Sequence, residues 1–328
     1  MQKRLDWIDY GKGICMLIVV FYHTLCYYVH DDRLTFLFFP FFLTFFFFLS
    51  GYTINIETFK FKKSIRSIIF RLIIPYLIFT TIIWIPKAFS HSNAISLQSM
   101  IYDIGGGYAS WFVAALVVAK LILSGIMVIT KSLKNIWLIS FLFIVIGFIS
   151  TVYISHPCPW FFNYGLISLI YILLGCTYRK YERFLILTSK RNLFLSVIIY
   201  SILITLNKLY PTSIYYYSMT SENISLLGII SFLILSLSGI WMMLNIVTIL
   251  PRNIKYLQYV GKYSLIYYFL NGGVITVCVI VCNYIGFSYN ALIHREILLY
   301  AIVILLLTLA TSIIMKFCPW MVGDFNNK

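Results

Sequence analysis

Residues 9–24, DYGKGICMLIVVFYHT, carry the decision about the fold. The stretch is apolar enough to enter a lipid bilayer. It nevertheless begins beside Asp9 and Lys12 and ends beside a histidine, His23, eleven positions beyond the lysine. An α-helix turns about 100° and rises about 1.5 Å per residue. With Asp9 at zero, Lys12 falls at about 300°, His23 at about 320°, Tyr27 at about 0° and His30 at about 300°, all within one ~60° sector. Lys12 and His23 are then three turns, or roughly 16 Å, apart on one line. Such a stripe is costly against lipid, so it should face the bundle interior or a wet cavity. Two readings of His23 stay open: a histidine satisfied by another span, or a general base that reaches a hydroxyl at membrane depth. On the second reading Lys12 attracts an anion at the cytoplasmic mouth and Asp9, one turn earlier, holds Lys12 in place.

The rest of the chain is consistent with this first helix. Of 328 residues, 61% are hydrophobic and 11% charged, against roughly 25% charged in a soluble domain. The apolar residues fall in runs of about twenty, each able to cross ~30 Å of hydrocarbon. The runs predict about ten transmembrane helices near 12–30, 35–55, 71–88, 110–129, 136–154, 160–178, 193–210, 224–249, 263–285 and 296–316. The expected fold is an all-α polytopic helical bundle. With the amino terminus inside, twenty of the 25 basic residues fall on the cytoplasmic side. The other side keeps Arg33, Lys87, Lys208 and Arg295, and Lys120 lies inside a span. By the positive-inside rule both termini are cytoplasmic. The net charge of +15 is therefore a topology signal and not a nucleic-acid footprint.

The first run lacks a small-residue cleavage site and reads as a retained helix. Of the seven cysteines only Cys158 falls in a non-cytoplasmic loop, so no exported disulfide is expected. Cys278 and Cys282, one turn apart, have no partner ligands and read as buried apolar residues, so no metal site is expected. The three glycines of GGGYASW (105–111) lack the lysine and hydroxyl of a phosphate loop and read as a flexible approach to the fourth span. Pro40 is placed to bend the helix of FFPFFLTFFFFLSG (38–51), whose Ser50–Gly51 end lets a backbone or ligand come close. The segment KFKKSIRSIIFRLIIPY (60–76) puts Lys60, Lys62, Lys63, Arg66 and Arg71 in one inner loop, with Pro75 kinking the helix that follows. Topology control accounts for the lysines, whereas Arg66 and Arg71 are candidates for phosphate or CoA recognition. Lys120, about ten residues into its span, costs ~2.5–3.5 kcal/mol to bury and should be paired or functional.

Five stretches, in order, resemble the acyltransferase-3 family of integral membrane acyltransferases: RLDWIDYGKGICMLIVVFYHT (4–24), FFFLSGYTI (46–54), FRLIIPYLI (70–78), SWFVAALVV (110–118) and GKYSLIYYFLN (261–271). The resemblance covers essentially the whole chain and implies a single transmembrane domain, 1–328, with no soluble extension. It implies acyl transfer, usually O-acetylation, from cytoplasmic acetyl-CoA to a hydroxyl of a surface polysaccharide or lipid-linked glycan. The acyl-CoA is a donor substrate and not a permanently bound cofactor. On this resemblance His23 takes the place of the catalytic histidine and Lys12 that of its paired basic residue, while Arg66 and Arg71 lie in the donor-binding loop. Location in a bacterial inner membrane follows from the resemblance alone.

The chain departs from the family pattern at three places. Lys12 stands where arginine is commoner; an ammonium binds phosphate as a point charge without the bidentate fork. Arg66 and Arg71 are five apart, wider than the family spacing. Asn271 stands where a histidine often ends the late motif, and an amide cannot shuttle a proton at neutral pH. Ser50 and Lys120 are candidates to stabilise an oxyanion. The rival reading is a transporter or flippase for a lipid-linked glycan, against which the lack of a visible inverted repeat argues mildly.

Overall fold

The computed structural model describes residues 5–28, 35–90, 96–154, 156, 158–182, 188–209, 226–251, 253–287 and 293–323. Among these residues the chain is helical, with no strand. Helix α1 (Asp6–Tyr22) runs on into a π-helical turn, His23–Tyr28. Next come α2 (Thr35–Phe38), α3 (Phe42–Tyr52), and α4 (Phe61–Ile68) joined through a second π turn, Ile69–Ile73, to α5 (Ile74–Ser90). A short α6 (Leu97–Gly105) precedes α7 (Trp111–Ile129), α8 (Leu133–Tyr153), α9 (Phe162–Tyr181) and α10 (Lys190–Leu209). The chain continues with α11 (Leu226–Ile249), α12 (Lys255–Lys262), α13 (Ser264–Tyr284) and α14 (Ile293–Phe317).

Nine helices among the described residues are long and apolar enough to cross a membrane, and they coincide with nine of the ten expected spans. The tenth, expected over 35–55, is the shorter apolar helix Phe36–Tyr52. It reaches about 25 Å, short of the ~30 Å hydrocarbon core. Pro40 explains the interruption: it has no N–H to continue the ladder, and its carbonyl is taken instead by the Thr44 hydroxyl at 3.0 Å. Every residue of α3 is nevertheless buried, so this short helix is the centre of the bundle.

The periphery is apolar outward, as lipid requires. On α8, Leu138, Phe141, Leu142, Ile146 and Ile149 are exposed along one face, while Ile136, Ser140, Ile144, Gly147 and Thr151 are buried on the other. Polar contacts tie the helices together inside: Tyr171 with Ser236 at 2.9 Å, Tyr267 with Thr308 at 2.8 Å, and Tyr300 donating to the Leu17 carbonyl at 3.1 Å. Because lipid tails supply no hydrophobic contrast, close backbone approach does much of the remaining packing. α3 rests on α9 through Gly51 against Ile172 and Gly175 against Phe48. α1 rests on α12 through Gly13 against the Leu257 carbonyl and Gly261 against the Asp9 carbonyl.

The second contact fixes the helix that bears Lys12 and His23. A Cβ at Gly261 would run into the Asp9 backbone. Gly261→Val is therefore expected to cost ~1–3 kcal/mol of stability from overpacking, read as a lower thermal midpoint in detergent. Gly125→Val, where an added Cβ meets nothing within 4 Å, is expected to leave the midpoint within a degree or two.

Candidate functional site

Lys12 projects from α1 one turn beyond the buried Asp9, whose carbonyl is clamped by Gly261. Lys120 projects from the middle of α7. Arg71 lies in the π turn Ile69–Ile73. The charges of Lys12 and Arg71 both act on the Lys120 ammonium, as does the Cys176 thiol of α9. The Lys120 ammonium is thus within electrostatic reach of two further cations, from α1 and the π turn, and of one thiol, from α9. Like charges within electrostatic reach repel one another, so the group suits a multiply charged anion.

The π turn explains Arg71's position. Pro75 has no N–H to close an α turn onto the Arg71 carbonyl, and the ladder widens: the Ile74 N–H bonds to the Ile69 carbonyl, five residues back. The turn Pro319–Val322 packs on the same segment, and Gly323 brings the backbone against Phe70 and the Arg71 stem. Residues 60–71 are therefore not one loop. Helix α4 begins at Phe61, and both arginines lie on a nearly continuous helical rod. Arg66, five residues earlier, is exposed and lies over the Phe70 ring at 5.7 Å. The cation group contains Arg71, and Arg66 is not among the charges acting on Lys120.

His23 opens the other π turn, with its ring edge-on to Tyr22 at 5.3 Å. Single π turns inside α-helices recur at functional sites because they re-aim side chains. This turn packs against α13 and α14. His30 and the side chain of Tyr27 lie outside the described residues. Ser50 is buried next to Gly51, whose carbonyl accepts the Cys176 thiol at 3.3 Å, so Ser50 belongs with the Lys120 end. Asn271 is buried on α13, and its amide nitrogen donates to the Tyr268 carbonyl of its own helix. The Tyr268 hydroxyl in turn accepts from Ser110 at 3.2 Å, linking α13 to the start of α7.

Two features escaped the sequence reading. Near the ends of α3 and α9 the Tyr52 hydroxyl donates to Glu182 at 2.5 Å, Arg179 donates to the Tyr52 carbonyl at 2.9 Å, and Trp7 stands edge-on to Tyr52 at 4.6 Å. Tyr52 belongs to a quoted motif, but a partner 130 residues away leaves no local signal. The second feature is the glycine run, which is a clasp and not a flexible approach. Trp160 donates its backbone N–H to Gly106 at 2.6 Å and its indole N–H to Gly105 at 2.9 Å. Gly107 adopts φ 83°, which favours glycine. Trp160 and Phe161 themselves sit at φ 56° and 47°, so the clasp holds two strained residues.

A family model described as an acyltransferase domain, Acyl_transf_3, matches residues 5–317. The chain belongs to this family. Neither the curated proteins nor the solved structures contain a match to it. Membership carries membrane acyl transfer with it, and it gives no support to the transporter or flippase alternative. Within this acyltransferase the matched region includes every helix from α1 to the end of α14.

Proposed function

We propose that this acyltransferase moves an acetyl or similar acyl group from cytoplasmic acyl-CoA to a hydroxyl of a surface or lipid-linked glycan, in a bacterial inner membrane with both its termini cytoplasmic. The observation that carries the reading is the convergence of Lys12, Arg71 and Lys120, with His23 eleven residues farther along the helix that bears Lys12. The cations receive the CoA phosphates, and the pantetheine arm covers the ~16 Å rise to His23. There the imidazole takes the proton of the acceptor hydroxyl as its oxygen attacks the thioester carbonyl. The C–O bond forms, the C–S bond breaks, and the CoA thiolate leaves and takes up the proton from His23. Because Lys120 and the Ser50–Gly51 end group with the phosphate-binding cations, the reading assigns them to donor binding and not to the oxyanion. Asn271 contributes structure and no second base.

Donor binding separates this reading from a glycan transporter. Acetyl-CoA at about 100 times its Kd stabilises a protein by ~2.7 kcal/mol through mass action. The purified protein is expected to show a clear rise in thermal midpoint with millimolar acetyl-CoA, shrinking at high salt as the cations are screened. An unchanged midpoint at every salt concentration would count against CoA as the donor.

A further inference from the structure

At the opposite end from the cation group, a cavity of about 120 Å³ opens between α5, α6, α13 and the turn before α7. Its chemistry is mixed. Trp84 and Phe269 present aromatic surface, while Asp103, Tyr108 and Thr80 present polar groups. The Asp103 carboxylate is held in place by the Trp84 indole N–H at 3.2 Å. A carboxylate has about four acceptor sites, so one indole bond leaves it able to accept hydroxyls. The Tyr108 ring is stacked on Tyr102 at 5.0 Å and 22°, and Phe269 is stacked on Phe79 at 5.3 Å and 7°. Tyr108 and Phe269 are thus each backed by a second ring, and the indole N–H anchors the carboxylate at the cavity.

The depth of this cavity follows from helix rise. Thr80 lies nine residues beyond Arg71, or ~13 Å; Ala109 lies eleven before Lys120, or ~16 Å; His23 lies eleven beyond Lys12, or ~16 Å. The cavity is thus about three turns from the cation-bearing positions along α5 and α7, the same separation that His23 has from Lys12 along the first helix. Helix α13 packs against both α5 and the π turn that His23 opens. One turn beyond Phe269 on the cavity side it carries Gly273, where an added Cβ would meet only Ile83 at 4.0 Å. Ile83 itself lines the cavity, so a larger side chain at Gly273 has room to reach toward its edge.

We infer that this cavity is the acceptor site, binding a sugar ring by its C–H face on the aromatic wall and by its hydroxyls on Asp103 and Tyr108. Aromatic surface beside a fixed carboxylate is the chemistry that selects a hydroxyl-rich ring over a lipid tail or a phosphate, which the carboxylate repels. The inference rests on the acyl-transfer reading above and adds where the acceptor is held.

The test uses purified full-length protein in nanodiscs, radiolabelled acetyl-CoA, and the host's own glycan fraction titrated by mass. Two variants are compared with wild type. Asp103→Asn keeps an acceptor for Trp84 but loses the charge, and Gly273→Leu fills the cavity from a position with room for a side chain. Both are expected to raise the acceptor KM about ten-fold, the scale of one charge-assisted hydrogen bond, with the acetyl-CoA KM within about two-fold of wild type, which also reports an intact fold. An unchanged acceptor KM in both variants, or a rise confined to the acetyl-CoA KM, overturns the site while leaving acyl transfer standing. Absence of transfer by wild type overturns the acyl-transfer reading, and the site falls with it.

Discussion

His23→Ala is expected to lower acyl transfer by about 10²–10⁴-fold, the usual contribution of a positioned general base, with the KM for acetyl-CoA nearly unchanged. The split follows from geometry: His23 is about 16 Å along α1 from Lys12, too far to share in holding the phosphates. His23→Gln is the sharper control, since glutamine keeps a hydrogen-bonding side chain yet cannot take a proton. If the histidine served only as an interhelical hydrogen-bond partner, His23→Gln would retain most of the activity and His23→Ala would lower the thermal midpoint in proportion to its lost rate. Initial rates and midpoints measured on the same preparations separate the two roles.

The second large effect concerns the cations, and it has opposite signs in binding and stability. Arg71→Met and Lys120→Met keep much of the aliphatic stem at each position while removing charge. Each is expected to raise the acetyl-CoA KM by about ten-fold or more, since a hydrogen bond to a charged group contributes ~1.5–3 kcal/mol. Each is also expected to hold or raise the thermal midpoint of the protein without donor, because the charges of Lys12 and Arg71 both act on Lys120 and an ammonium at membrane depth is itself costly. Acetyl-CoA should then stabilise these variants less than wild type. Arg66→Met, at an exposed position outside the group, should change the KM by less than about three-fold. A fall in midpoint with an unchanged KM would make these residues structural.

Much of the bundle was legible because hydropathy acts through local runs. Nine spans, the first helix among them, and the break at Pro40 all follow from residues within twenty positions of one another. The continuity of the helix from Lys12 to His23 was legible for the same reason, though not the π turn that His23 opens. What the sequence left dark depends on contacts between distant segments. Lys120 looked like an isolated cost until α7 was seen against the turn bearing Arg71, with the Lys12 charge also acting on it. Arg66 and Arg71 were both read into one charged loop, with Arg66 set apart only by its spacing; helix α4 starting at Phe61 and the widened turn before Pro75 instead put them on a helical rod, from which the Arg71 charge acts on Lys120. The Tyr52–Glu182 pair and the Trp160 clasp join residues 130 and 55 positions apart. The short α6, hidden in a stretch read as a loop, supplies Asp103. The family motifs marked α1, α3, the α5 start, α7 and α13, all of which adjoin the site, but they carried no information on depth.

The most direct test of the account is transfer of radiolabelled acetyl from acetyl-CoA into the glycan fraction of host membranes, with wild type and His23→Ala at matched protein levels. The account predicts label in the glycan with wild type and its loss with the variant. Equal label in both would contradict the assignment of His23 as the base. No label in either, from protein that binds acetyl-CoA, would contradict transfer to a glycan.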